Sequence, residues 1–326
     1  MDEARENVAA LLNATPHEII FTGGGTESDN MAIKGVAFAA REKGRHIITT
    51  QVEHHAVLHT CQFLEKMGYE ITYLPVDSDG RIDLSELRRS IKDQTILITI
   101  MFANNETGTI FPVQKIGEIA REKGIIFHTD AIQAAGKVPI DLKQLPVDIL
   151  SLSGHKLYAP KGIGAQYIRS GTPLTSLIHG GGQERHRRAG TENVPYIVGL
   201  GKACEIARRD FRKRHDHLLA LRDQLHQGII HRIPHVKLNG HPTECLPNTL
   251  NMSFLYIEGE SLLLNLDLEG IAVSSGSACT SGSLEPSHVL LAMGIPPEIA
   301  QSAIRFSLGW SNTLEDVDYA VEVLPR

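Results

Sequence analysis

This 326-residue sequence has few cysteines, no long hydrophobic run and no large excess of charge of either sign. Its longest apolar stretches, such as residues 95–102, have the length of a strand and are too short to span a bilayer. The four cysteines, Cys61, Cys204, Cys245 and Cys279, lack paired spacing and predict free thiols instead of disulfides. The net charge of −6 gives no electrostatic reason to bind nucleic acid or an anionic membrane.

The amino terminus also lacks the features of a targeting peptide. Residues 1–5 include two acids and continue directly into a helical pattern. The composition, 42% hydrophobic and 21% charged, is typical of a soluble globular protein, so we expect a cytoplasmic location. The length predicts two unequal domains, which we place at residues 1–205 and 206–326.

Short apolar runs alternate with amphipathic stretches in the first 170 residues. The predicted strands are residues 18–21, 46–49, 71–74, 95–101, 125–128 and 149–152, and predicted helices include 31–43, 57–67 and 113–123. This alternation predicts an α/β fold with a mostly parallel sheet flanked by helices. A long charged helical stretch at 195–230 leads into a smaller α+β domain with predicted strands at 249–254, 271–274 and 304–307.

A run of glycines leaves the first predicted strand, in the segment FTGGGTES at residues 21–28. Exposed amides at a helix N-terminus, with the Thr26 hydroxyl beside them, suit a phosphate group. A tight turn with Thr26 as the N-cap is an equally good interpretation of the run alone. The spacing matches neither the Walker A motif nor the dinucleotide fingerprint, which leaves the phosphate of another ligand.

Two other predicted strands end in residues that could bind a ligand or take part in catalysis. Asp130 follows one strand, with Gln133 one turn later, and its carboxylate suits a heterocyclic N–H, although N-capping of the next helix is the commoner role. Lys156 follows another strand, and a partly desolvated lysine can form a Schiff base, although most lysines are solvated. A phosphate site, an acid and a lysine at strand ends are together the parts by which proteins hold pyridoxal 5'-phosphate (PLP).

Cys279 lies in the small-residue segment AVSSGSACTSG at residues 272–282. Cysteine is usually a small buried hydrophobe, but this segment offers few side chains that could bury it. Small neighbours favour an exposed and mobile nucleophile. We therefore predict that Cys279, and not one of the other three cysteines, is the reactive thiol.

The chain resembles cysteine desulfurases of the NifS/IscS type, within the class V aminotransferase superfamily of PLP fold type I. The resemblance extends from end to end through FTGGGTESDN (21–30), VEHHAVL (52–58), ANNETG (103–108), HTDAIQ (128–133), SGHKLYAPKG (153–162), HGGGQERHRRAGT (179–191), SSGSACTSGSLEP (274–286) and IRFSLG (304–309). It implies a seven-stranded-type sheet, PLP as cofactor and conversion of L-cysteine to L-alanine, with the sulfur passing to an enzyme persulfide.

The resemblance also implies residue roles around the cofactor. Lys156 would bind PLP covalently, Asp130 would pair with the pyridinium nitrogen, and His54 would stack on the ring and move protons. Asn105 and Gln133 would contact the ring oxygen and the substrate side. The phosphate would be held by four residues of one subunit, namely Gly25, Thr26, Ser153 and His155.

Further implied roles concern the substrate and the partners. Arg305 would bind the cysteine carboxylate through its bidentate guanidinium, and Cys279 would attack the substrate sulfur. Thr191 would reach the phosphate held by the other subunit of a homodimer. The sulfur would pass to an acceptor such as an iron–sulfur scaffold or a thiolation protein, and the resemblance implies no metal site.

Other interpretations remain open at this point. A selenocysteine lyase shares the chemistry, whereas another class V aminotransferase would not need Cys279. Members of the family usually carry an earlier segment, with an L-D-N/Y-x-A-T-T type motif, that lines the substrate pocket and is not in this sequence. A non-catalytic PLP-binding subunit is the alternative from a different class, although intact Lys156, His54 and Cys279 argue against it.

Overall fold

A computed structural model of the chain describes residues 1–275 and 285–325. The chain divides into two compact units, each formed from more than one stretch of sequence. The first comprises Met1–Leu74, Ile82–Ala103 and Phe111–Phe211, and the second comprises Pro75–Arg81, Asn104–Ile110 and Arg212–Arg326.

The first unit is built on a seven-stranded sheet with the order β1-β7-β6-β5-β4-β2-β3. Its strands are β1 (Ile19–Thr22), β2 (His46–Thr50), β3 (Glu70–Leu74), β4 (Thr95–Thr99), β5 (Ile126–Asp130), β6 (Ile149–Ser153) and β7 (Gly164–Ile168). Strands β3, β2, β4, β5 and β6 are parallel to one another, and β7 is antiparallel to both β6 and β1. The predicted α/β fold with a mostly parallel sheet is confirmed.

Strand β7 is the one strand of this sheet that the sequence patterns did not predict. All five of its residues are buried, but its centre is the polar Gln166, which interrupts the apolar run. The Gln166 side-chain N–H donates to the carbonyl of Ser28 at 2.7 Å, which gives the buried amide nitrogen a tertiary partner. That partner lies far away in the sequence and leaves no local signal.

Helices flank the sheet of the first unit. They are α1 (Asp2–Leu12), α2 (Gly25–Ala39), α3 (His55–Lys66), α4 (Leu84–Ser90), α5 (Val113–Glu122) and α6 (Val194–Arg209), with short 3₁₀ helices at Pro16–Glu18, Gly154–Leu157 and Gln183–His186. Apolar residues of α2, including Ile33 and Val36, pack with Val57 and Leu64 of α3 and with Ile47 of β2. This core fixes the start of α2 at the end of β1.

The second unit has a four-stranded antiparallel sheet with the order β10-β11-β9-β8. Its strands are β8 (Val236–Leu238), β9 (Thr249–Phe254), β10 (Ser274–Ser275) and β11 (Ala303–Ser307), and its helices are α7 (Phe211–Arg232), α8 (Gly259–Leu268), α9 (His288–Ala292), α10 (Pro297–Gln301) and α11 (Leu314–Val323). The long helical stretch predicted at 195–230 is two helices, α6 and α7. Across the described ranges, 1–275 and 285–325, no helix combines the length and apolar character needed to cross a membrane.

Candidate active site

The predicted cofactor residues of the first unit follow strands that end at one edge of the sheet. Strands β5 and β6 are parallel, and β1 runs in the same direction because both β1 and β6 are antiparallel to β7. The edge therefore carries the glycine run after Thr22, Asp130 at the end of β5 and Ser153 at the end of β6. Ligands of open α/β sheets bind beyond this carboxyl edge.

The glycine run forms the N-terminus of α2. The N-cap residue is Gly24 and the helix begins at Gly25, so the alternative of Thr26 as the N-cap is wrong. First-turn amides have no acceptor within a helix, which leaves those of Gly25 and Thr26 suited to an anion. A Cβ on Gly25 would lie 2.2 Å from Ile132 Cδ1 and 3.4 Å from Ser153 Cβ, so any larger residue here would have to displace the Ile132 side chain.

The hydroxyl of Ser153 and the ring of His155 lie beside the N-terminus of α2 and add polar groups that could contact an anion there. Ser153 Oγ lies 2.9 Å from His155 Nδ1. Burial lowers the pKa of His155, and the nearby charges of Lys156, Lys161 and Lys137 lower it further. The helix N-terminus and the lysines make the edge electropositive, which favours a phosphate dianion.

Asp130 presents a buried carboxyl group at the same edge. Its Oδ1 accepts the amide of Ile132 at 2.8 Å. No helix lies in the described stretch between Asp130 and β6, so the interpretation of Asp130 as a helix N-cap is wrong. Burial raises the pKa of Asp130 to about 6, while the Ile132 amide and Lys156 oppose the shift. A cationic ring nitrogen bound here would stabilise the carboxylate, so Asp130 fits the role of pyridinium partner.

Lys156 lies in the 3₁₀ helix that follows β6, and it is partly buried. A second lysine, Lys137, shares its surroundings: burial and the charge of Lys156 lower the pKa of Lys137 to about 7. Lys137 Nζ donates to the carbonyl of Gln133 at 2.8 Å, so the turn after Asp130 brings Gln133 and Lys137 together. The sequence reasoning did not select Lys137, because a single lysine carries no local mark of burial.

His54 is the N-cap of α3. Its Nδ1 accepts the amide of Ala56 at 3.1 Å, which leaves Nε2 to carry the proton of a neutral ring. The preceding residue, Glu53, is fully buried and accepts from Thr50 Oγ1 at 2.8 Å and from the Met101 amide at 3.1 Å. Burial raises the pKa of Glu53 to about 8.

Two further buried groups behind the strand ends were missed by the sequence reasoning. Both carboxyl oxygens of Asp29 are buried without a hydrogen-bond partner within residues 1–275 and 285–325, and Asp29 Oδ1 lies 3.7 Å from His128 Nε2. Burial raises the pKa of Asp29 well above its ordinary value and lowers that of His128 to about 3. His128 is therefore neutral near pH 7, and the raised pKa of Asp29 favours its protonated form.

Thr191 is exposed and lines a cavity of about 200 Å³ in the first unit, together with Thr22 and Gly23. The loop before it is fixed by Glu184, which accepts from Arg5 Nη2 at 2.7 Å and from the Phe21 amide at 2.9 Å. An exposed threonine on an anchored loop is available to a ligand or to a second subunit.

The predicted substrate residues Asn105 and Arg305 belong to the second unit. Arg305 Nη1 donates to the carbonyl of Asn105 at 3.0 Å, so the structure brings these two residues together. Arg305 Nε is buried and has no acceptor in the described part of the chain. An unsatisfied guanidinium N–H is a suitable donor for a carboxylate.

The thiols differ in their surroundings. Cys61 and Cys204 are buried, which raises the pKa of Cys61 and brings that of Cys204 to about 12. Cys245 is partly buried, and burial also raises its pKa, although Arg222 opposes the shift. None of these three has the lowered pKa of an activated nucleophile. Cys279, the predicted nucleophile, lies outside the described residues.

Known proteins resemble this chain over almost its whole length. The model of the aminotransferase class-V family matches residues 1–320. The chain is 61% identical over 323 residues to the cysteine desulfurase IscS of Methanosarcina thermophila, covering 99% of this chain and 80% of that protein. It is 56% identical over 326 residues to IscS of Dictyoglomus turgidum, covering 100% and 83% respectively.

Solved structures give the same result. A NifS-like protein superposes with a TM-score of 0.93 at 43% identity, covering 99% of this chain and 86% of that one. The NifS-like protein of Rickettsia africae gives a TM-score of 0.88 at 31% identity, covering 98% and 85%. The chain belongs to the class-V aminotransferase family, with the PLP fold type I architecture. Within that family its function is that of a cysteine desulfurase, as the sequence predicted.

Proposed function

We propose that this chain binds PLP through Lys156 and converts L-cysteine to L-alanine, with the sulfur passing first to Cys279. The observation that carries the proposal is the convergence of Gly25, Asp130 and Ser153, followed by Lys156, at one edge of the first unit's sheet. A close-approach glycine, a buried acid and a partly buried lysine match the phosphate, the ring nitrogen and the aldehyde of PLP.

PLP, when bound, supplies an electron-withdrawing ring that weakens bonds at the substrate carbon atoms. Asp130 would hold the proton on the ring nitrogen, since a buried carboxyl whose pKa is about 6 becomes fully ionised beside a cation. His54, with Nδ1 occupied by the Ala56 amide, would stack on the ring and move protons through Nε2. Lys156 would act as the second proton carrier near the substrate carbon.

The remaining proposed roles orient the cofactor and the substrate. Gly25, Thr26, Ser153 and His155 would hold the phosphate. Asn105 and Gln133 would contact the ring oxygen and the substrate side. Arg305 would bind the substrate carboxylate, a role supported by its buried and unsatisfied Nε.

The thiolate of Cys279 would attack the substrate sulfur. A sulfur–sulfur bond forms while the carbon–sulfur bond breaks, and the electron pair of the broken bond remains with carbon. That carbon then takes up a proton and becomes the methyl group of alanine. The chemistry requires a thiolate on sulfur and not a base on carbon, which separates the role of Cys279 from those of Lys156 and His54.

We further propose a homodimer in which Thr191 of each subunit reaches the phosphate bound by the other. The exposure of Thr191 on a loop anchored by Glu184 supports this role. The persulfide sulfur would pass to an acceptor protein of iron–sulfur cluster assembly or thiolation in the cytoplasm. Light scattering tests the dimer, since a monomer holding one PLP per chain would contradict it.

Alanine release from L-cysteine by the purified protein, with and without a reductant, tests the reaction. Cys279→Ser should still bind cysteine, seen as a change in the visible absorption of the cofactor, but release almost no alanine, because a serine hydroxyl is hardly ionised near pH 7. Mass spectrometry after brief exposure to cysteine should place one added sulfur on the peptide containing Cys279. Added sulfur on another cysteine, or normal turnover by Cys279→Ser, would show the proposal to be wrong.

A further inference from the structure

A tight turn in the second unit carries two adjacent residues with different partners. Asn104 Oδ1 accepts the amides of Glu106 at 2.8 Å and of Thr107 at 2.9 Å, which fixes the backbone of the turn. Asn251 Nδ2 donates to the carbonyl of Glu106 at 3.2 Å and ties the turn to β9. Asn105 and Glu106 are therefore held at defined positions on one rigid piece of backbone.

The first partner is Arg305 of β11. Its Nη1 donates to the Asn105 carbonyl at 3.0 Å, and its Nη2 donates to Ser274 Oγ at 3.2 Å. Ser274 also lies opposite Arg305 in the antiparallel pairing of β10 with β11. Arg305 thus connects the turn to β10, whose last residue is Ser275.

The second partner is Ser287, at the start of α9. The Ser287 hydroxyl donates to Glu106 Oε2 and accepts the amides of Val289 at 3.1 Å and Leu290 at 3.3 Å. Glu106 is 5% exposed and Ser287 is 3% exposed, so this bond is shielded from water. Hydrogen bonds to buried carboxyl groups are stronger than those on the surface.

Both described ends of one segment are therefore attached to the same turn. Ser275 lies at one end and Glu285 at the other, and the nine residues between them in the sequence include Cys279. The anchor at the first end is Arg305, and the anchor at the second end is the bond between Glu106 and Ser287.

We propose that Glu106 is a positioning residue for sulfur transfer, which holds Ser287 at the start of α9, eight residues after Cys279 in the sequence. This inference rests on the proposed role of Cys279 as the first sulfur acceptor. Glu106 touches neither the substrate nor the cofactor in this role. It acts through Ser287.

The test compares Glu106→Gln, Ser287→Ala and Ser287→Thr in the holoenzyme. The first two should lower kcat, and the rate at which sulfur appears on the Cys279 peptide after rapid quenching, by up to about tenfold. Ser287→Ala removes the hydroxyl donor, and Glu106→Gln replaces the carboxyl acceptor with a weaker neutral amide oxygen. The KM for L-cysteine and the visible absorption of the cofactor should stay within twofold of the wild type. Ser287→Thr keeps the hydroxyl and should retain the wild-type rates.

A matched control exists in the same unit. Ser261 Oγ donates to Glu258 Oε2 at 2.7 Å, which is the same pair of residue types at an exposed position. Glu258→Gln and Ser261→Ala should leave all rates unchanged. The double variant Glu106→Gln with Ser287→Ala should lose no more than Ser287→Ala alone, because Ser287→Ala already removes the interaction.

Three outcomes would overturn the inference: wild-type rates in both Glu106→Gln and Ser287→Ala, parallel changes of KM and kcat, or the same loss in Ser287→Thr as in Ser287→Ala. If neither of the first two variants folds, as judged by circular dichroism, Glu106 is a structural residue and the proposal is wrong. If the wild-type enzyme itself places no sulfur on Cys279, the proposed function fails independently of Glu106.

Discussion

Replacing Glu53 with glutamine should change how the stability of the protein depends on pH. The carboxyl group of Glu53 is fully buried and accepts hydrogen bonds from Thr50 and from the amide of Met101. Burial raises its pKa from 4.5 to about 8. The folded state therefore binds this proton more tightly than the unfolded state between those two pH values.

The sign and size of the effect follow from proton linkage. Because the folded state holds more protons, the free energy of unfolding of the wild type should fall as pH rises from 4.5 towards 8, by about 1.4 kcal/mol per pH unit for one group. The total loss is on the order of 5 kcal/mol once Glu53 is fully ionised. Glutamine has the same shape and does not titrate, so Glu53→Gln lacks this loss.

Urea denaturation of both proteins from pH 5.5 to 9, at equal protein and PLP concentrations, measures the difference. The free energy of unfolding of the variant, minus that of the wild type, should increase with pH and become constant above about pH 8. Glu122→Gln is the control, since Glu122 is exposed on α5 and its pKa is lowered by Arg88, which predicts a constant difference over this range. A difference for Glu53→Gln that does not change with pH would refute the reasoning.

Three other outcomes are expected. Asp130→Asn should weaken PLP binding at least tenfold in equilibrium dialysis, because a neutral amide does not stabilise a cationic ring nitrogen; unchanged affinity would remove Asp130 from that role. Gly25→Ala should also raise the PLP dissociation constant, because the added Cβ would lie 2.2 Å from Ile132 Cδ1 and the resulting shift would disturb the first turn of α2, where the phosphate is proposed to bind. An unchanged dissociation constant would exclude a close phosphate contact at Gly25. At pH 8, iodoacetamide should leave Cys61 and Cys204 unmodified, because burial raises the pKa of both thiols, and rapid labelling of either by mass spectrometry would contradict their burial.

The sequence alone predicted the main parts of the fold, whereas the cofactor residues it suggests remain predictions. Apolar runs of strand length separated by amphipathic stretches identified six of the seven strands of the large sheet to within two residues. Strand direction follows from the alternation of strands and helices, because crossover helices make neighbouring strands parallel. The motifs after β5 and β6 were therefore expected at one edge, and the structure places Asp130 and Lys156 there. The glycine run after β1 joins this edge because β1 and β6 are both antiparallel to β7, a strand the sequence did not predict.

The sequence did not predict groups whose properties depend on distant partners. Glu53 and Asp29 look like ordinary acids in the sequence, and only burial by other elements raises their pKa values. The role proposed for Glu106 likewise depends on Ser287, a residue 181 positions away.

The sequence by itself determined which residues follow which strands, because hydrophobic periodicity and glycine placement are local signals. The tertiary structure decided which stretches pack in the same unit: Pro75–Arg81 and Asn104–Ile110 join the second unit although the first unit's strands surround them in sequence. It also decided which polar groups lose contact with water. Desolvation and hydrogen bonding depend on every element packed around a side chain, and no local window of sequence contains that information.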